Sequence, residues 1–137
     1  MPAKKILLII FLFSSTVSNG VDWKELDKDS EGNTYYVDVD SILEEEGYVY
    51  YKNLINFFEE TRTGTHSHVS QYKVDCLNKK QTWLSYAFFS QSMANGKIIV
   101  EEVPVWNHYG STLNEIRSLV PGSIEYKLMG FVCRYDE

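Results

Sequence analysis

Tyr72-Lys73-Val74-Asp75-Cys76 is the stretch on which the reading of this chain turns. Successive side chains of a strand point to opposite faces, so Tyr72, Val74 and Cys76 share one side and Lys73 and Asp75 the other. The apolar side is the one to bury. The run extends back to His68 and puts Ser70 on the same side. Cys76 and Cys133 are the only cysteines. They are far apart and show no C-x-x-C spacing, which argues against redox catalysis. In an oxidising compartment a structural disulfide between them is the simplest reading, with two free thiols as the alternative. By chain entropy such a bridge is worth roughly 4 kcal/mol, less any native strain.

The compartment follows from the first twenty residues. Lys4-Lys5 precedes an apolar run from Ile6 to Phe13, and a polar, small-residue stretch from Ser14 to Gly20 follows. That is the pattern of a secretory signal peptide, and the run is too short to span a bilayer. Cleavage after Gly20 would put the small residues Ser18 and Gly20 at the −3 and −1 positions. We therefore expect residues 1–20 to be removed and residues 21–137 to form one exported domain. A buried N-terminal helix or a retained anchor is the alternative. No cysteine sits near the expected cut, so the sequence predicts no lipid anchor, and no other stretch approaches membrane-spanning length. Losing Lys4 and Lys5 takes the formal net charge from −6 to −8. An acidic surface without a basic cluster argues against nucleic acid and anionic membrane as partners.

Outward from Cys76 the chain reads as strands joined by turns. Val21 to Leu26 and Thr34 to Asp38 make a first hairpin around a turn containing Gly32. Asp40-Ser41-Ile42 reads as one helical turn, capped by Asp40 or Ser41. Glu44-Glu45-Glu46-Gly47 reads as a charged loop, with a cation site as the alternative. Tyr48 to Phe58 is the longest β-type run, and it carries large apolar groups on both faces. Glu59 to Ser67 is a polar connection. Gln81 to Ser90 is a further strand, with Leu84, Tyr86 and Phe88 expected on one face and Trp83, Ala87 and Phe89 on the other. Asn95-Gly96 signals a hairpin turn into Lys97 to Val103, and Pro104 ends that pairing. Thr112 to Leu119 shows helical spacing. Ser123 caps a final helix from Ile124 to Cys133, with an apolar stripe of Ile124, Leu128, Met129 and Val132. The predicted fold is α+β: a single antiparallel sheet of about six strands with a C-terminal α-helix packed on it and tethered by the disulfide.

Several of these blocks occur together. Asp22-Trp23, Gly32-x-Thr34-Tyr35-Tyr36-x-Asp38, Asp40-Ser41-Ile42, Val74-Asp75-Cys76 and Val132-Cys133 resemble the surface-adhesin protein E family of Gram-negative bacteria. Ser90-x-x-Met93-x-x-Gly96 and Trp106 add to the likeness, which covers nearly the whole mature chain. The resemblance implies an antiparallel sheet with a C-terminal helix held by a disulfide. It also implies an adhesive role toward host matrix and plasma proteins, and haem as a ligand. The family's best-known member is anchored by lipid; the anchoring cysteine is missing here, which leaves periplasmic, secreted and cell-surface locations open.

The chain offers little catalytic chemistry. His66-x-His68 is the one metal-like spacing, since residues two apart on a strand face the same way. His108 is remote in sequence, no acidic motif completes a set, and two histidines at a loop edge are the plain alternative. No nucleophile elbow, phosphate-binding glycine loop or H-E-x-x-H motif is present. Asp38 and Asp40 suit turn and cap roles. Ten Tyr, seven Phe and three Trp exceed what a small core needs. The Tyr35-Tyr36 and Tyr50-Tyr51 pairs therefore suggest an aromatic binding surface, half-buried strand packing being the alternative. The sequence predicts a non-enzymatic exported protein that binds a host extracellular or envelope protein and needs no cofactor. The alternative is a soluble periplasmic envelope factor or hydrolase inhibitor that inserts a loop such as residues 59–67.

Overall fold

The computed structural model describes residues 21–102 and 116–135. The leader expected over residues 1–20, Pro104, Trp106, His108 and the N-terminal part of the helical pattern from Thr112 all lie outside them. One antiparallel sheet organises the described residues. Its strands are β1 (Trp23–Lys28), β2 (Thr34–Asp38), β3 (Leu43–Glu45), β4 (Tyr48–Asn56), β5 (Ser67–Asp75), β6 (Lys80–Phe89), β7 (Ile98–Glu102) and β8 (Ile116–Ser118). The order across the sheet is β1-β2-β4-β5-β6-β7. The two short strands share an edge with a longer one: β3 pairs with β4, and β8 with β6.

Turn chemistry accounts for the hairpins. In the first, Asp29 Oδ1 accepts from the backbone N–H groups of Glu31 and Asn33, both at 2.9 Å. Glu46 and Gly47 both have positive φ (52° and 82°), the geometry of a two-residue turn that follows the twist of β3 and β4. The stretch 44–47 is therefore a paired hairpin corner and not the free loop expected. The helical turn falls on Val39–Ser41, and its cap is Asp38, which accepts from Asp40 N–H at 3.1 Å. The β6–β7 connection is wider than the Asn95-Gly96 signal suggests. Met93 and Ala94 also adopt positive φ, held by Asn56 Oδ1 and Ser67 Oγ, which accept from their N–H groups at 2.8 and 3.0 Å.

The helix α1 (Ile124–Cys133) starts where the sequence places it, with Ser123 Oγ accepting from Tyr126 N–H at 3.1 Å. Leu128, Met129 and Val132 lie on one stripe of α1 and are buried against Val37 of β2, Val49 and Tyr51 of β4 and Val74 of β5. Cys76, just past β5, and Cys133, the last residue of α1, form a disulfide with Cα atoms 5.9 Å apart, closing a sequence separation of 57. Leu54, fully buried on the opposite face of β4, is flanked across the sheet by Tyr36 and Val69. Residues 116–118 form the strand β8, which overturns the helical reading of that stretch.

Candidate functional site

A bulge decides what the sheet shows on the face that α1 covers. Tyr72 of β5 pairs with Trp83 of β6, while the preceding Gln71 pairs with Ser85, so Leu84 is the extra residue. An inserted residue shifts the alternation by one. Trp83 therefore shares its face with Tyr86 and Phe88, opposite to the face the regular alternation predicts. With His68 of β5 these rings form one cluster. Trp83 stacks on Tyr86 with centroids 4.6 Å apart, and His68 stacks on Phe88 at 4.5 Å. Tyr86 meets Phe88 edge-on at 5.4 Å.

Beside this cluster lies a cleft of about 380 Å³. His68, Tyr72, Gln81 and Trp83 form its floor, residues 117–120 of β8 and the following loop form one wall, and Ser123 and Glu125 at the start of α1 form the other. The size and the aromatic floor are those of a pocket for a small ligand or a side chain. Burial alone pushes the His68 imidazole down to about 4, so it is neutral near pH 7. Burial likewise raises the Tyr72 phenol, against a hydrogen bond with Ser70 that lowers it; Glu125 then pushes up and Arg117 down. The floor is thus uncharged, and Arg117 and Glu125 supply opposite charges near it.

His68 Nε2 and Ser70 Oγ lie 3.0 Å apart, a spacing a serine hydrolase would also show. Here the hydroxyl belongs to a residue only 1% exposed. The imidazole is a poor base at neutral pH. The pair is a structural hydrogen bond that satisfies a buried hydroxyl and a half-buried imidazole.

The residues singled out in the sequence are dispersed. Tyr51 is 1% exposed, stacked on Tyr72 with centroids 5.6 Å apart, and belongs to the core. Tyr35 lies on the same face, half-buried, with its hydroxyl donating to Asp29 Oδ2 at 3.4 Å. Tyr36 and Tyr50 lie on the opposite face. The four tyrosines therefore do not make one surface. His66 precedes β5 and sits 3.6 Å from the Glu60 carboxylate, while His68 is enclosed among rings. No three His, Cys, Asp or Glu side chains converge among the described residues. Haem, which the resemblance implied, would meet one imidazole at the cleft, that of His68, which is stacked on Phe88. The cleft itself was missed because the bulge at Leu84 leaves no mark in the alternation of residues 81–90.

The fold belongs to a definable class. A family model described as surface-adhesin protein E matches residues 23–134, and the chain belongs to that family. Among solved structures, crystal form II of Haemophilus influenzae protein E superposes with a TM-score of 0.59 at 19% identity, over 87% of this chain and 91% of that one. A second structure of Haemophilus influenzae protein E gives 0.57 at 18%, over 87% of each chain. Protein E from non-typeable Haemophilus influenzae gives 0.54 at 19%, over 87% of this chain and 78% of that one. No curated protein matches the sequence.

Proposed function

We propose that this chain is an exported, adhesin-like, non-enzymatic protein that captures a protein partner through the cleft between β6, β8 and α1. The observation that carries the reading is the cluster of Trp83, Tyr86, Phe88 and His68 gathered beside an open cleft. Rigid aromatic groups lining a concave site are the usual anchors of protein recognition. Family membership supports the adhesive class, and the signal-peptide pattern read in residues 1–20 supports export. Among the described residues no helix is long and apolar enough to cross a membrane. The test is saturable binding of the purified protein to immobilised host matrix, plasma and envelope proteins, compared with Trp83→Ala. A partner whose binding weakens at least tenfold in the variant supports the reading. Partners bound equally by both proteins overturn the assignment to the cleft. Protease treatment of intact and osmotically shocked cells then separates surface display from the periplasm.

A second reading rests on the loop before β5. Thr61 N–H donates to Thr65 O at 3.0 Å, Thr61 Oγ1 accepts from Thr65 N–H at 3.1 Å, and the Thr63 hydroxyl bonds to both neighbouring threonine hydroxyls. A self-braced loop beside a 74% exposed Phe58 is preorganised for insertion into another protein, as an inhibitor of a hydrolase requires. Arg62→Ala and Phe58→Ala variants that inhibit an envelope or host hydrolase as well as the parent would exclude it.

A further inference from the structure

The cleft contains two donors that the fold leaves unused. Gln81 and Arg117 are direct partners in the β6–β8 pairing, so their side chains leave the sheet side by side on the α1 face. Gln81 is 7% exposed, and its Oε1 accepts from the Tyr51 hydroxyl at 3.3 Å. That contact occupies the amide oxygen, and Gln81 itself lines the cleft. Arg117 is exposed at the mouth and makes no ion pair among the described residues. Ser123, on the same rim, is already committed: its hydroxyl donates to Val120 O at 2.7 Å and accepts from Tyr126 N–H.

We propose that the cleft is a carboxylate-binding site for an acid joined to an apolar or aromatic group. Arg117 and Gln81 hold the carboxylate, and Trp83, Tyr72 and His68 pack against the attached group. The assignment rests on the reading of the cleft as the binding surface and names the chemistry it accepts. A guanidinium fork matches the two oxygens of a carboxylate, and the Gln81 amide, whose oxygen is taken by Tyr51, has N–H groups to donate to it. The neutral aromatic floor suits a ring or a branched side chain. Glu125, on the opposite wall, repels further negative charge. It therefore selects a singly charged acid over phosphate, sulfate or a diacid. Two sources share this chemistry: the C-terminus of a partner protein and a small aromatic acid.

The test is a titration of the isotope-labelled protein, followed by NMR at the Gln81 side-chain amide and the Trp83 indole. The probes are N-acetyl-L-phenylalanine, its C-terminal amide, and a tetrapeptide ending in phenylalanine with a free or amidated terminus. We expect saturable shifts at both positions with the acids and at least about tenfold weaker binding of the amides. Arg117→Gln, an exposed position, should remove that preference without lowering Tm. A tetrapeptide acid that binds more tightly than the small acid identifies a protein C-terminus as the source; equal affinity identifies a small acid. Equal binding of acids and amides, or no shift at Gln81, overturns the proposal. If Trp83→Ala still loses its protein partner while no probe responds, the carboxylate assignment falls and the protein-binding reading stands. Acid binding in a protein that captures no partner gives the reverse.

Discussion

His68 carries the clearest pH signature in the molecule. Its ring is packed on Phe88 beside Trp83 and Tyr86, and burial lowers its pKa from 6.5 to about 4. The unfolded chain therefore binds a proton at a higher pH than the folded one does. A group that must stay neutral to remain buried costs stability where the unfolded state is protonated. The imidazole's effect is absent above pH 6.5, grows as the pH falls and is complete near pH 4, where it amounts to about 3 kcal/mol at most. Denaturant unfolding measured at intervals between pH 7 and pH 4 should show this loss, and His68→Phe should flatten it. The same slope in the variant would assign the acid sensitivity to other groups. Ser70, whose buried hydroxyl would lose the imidazole in that variant and keep its bond with Tyr72, sets a constant offset across the range and leaves the slope free to read.

Among the elements, α1 depends most on a few side chains. Leu128→Ala removes a buried side chain from between the helix and β4, and large-to-small changes of this kind cost about 2–5 kcal/mol. Ser123→Ala removes the N-cap and should cost about 1 kcal/mol, read as a lower denaturation midpoint with an unchanged slope. The helix was legible in the sequence because cap, stripe and length all agree over residues 123–133. So were β2, β4 and β5, whose runs are long and rich in aromatic and β-branched residues. The short strands β3 and β8 were not. Leu43, Glu44 and Glu45 are all exposed, so no alternation marks them, and β8 has three residues, too few to outweigh the helical spacing of Leu113, Ile116 and Val120. The candidate site was legible in its composition but not in its geometry. Aromatic excess pointed to a binding surface, yet the tyrosine doublets place rings on alternate faces of the sheet. The cluster instead assembles on β5 and β6 around the Leu84 bulge.

At the scale of the whole molecule, α1 lies on one face of the sheet and is tied at both ends to functionally distinct places. Its first turn forms a wall of the cleft, and its last residue is bridged to the turn after β5. The bridge closes a loop spanning 57 positions, which contains β6, β7, β8 and most of α1. Opening it returns that freedom to the unfolded chain, so Cys133→Ser should lose about 2–4 kcal/mol of stability. For a domain of this size that corresponds to a fall in Tm on the order of 10 °C. The comparison to make is thermal melting of parent and variant, each with and without reductant. Reductant should bring the parent down to the variant and leave the variant unmoved. A parent Tm that ignores full reduction would mean that the packing of Leu128, Met129 and Val132 holds α1 without the tie. If the bridge also maintains the cleft wall, Cys133→Ser should weaken partner capture at temperatures well below its own Tm. Unchanged capture there would confine the disulfide to global stability.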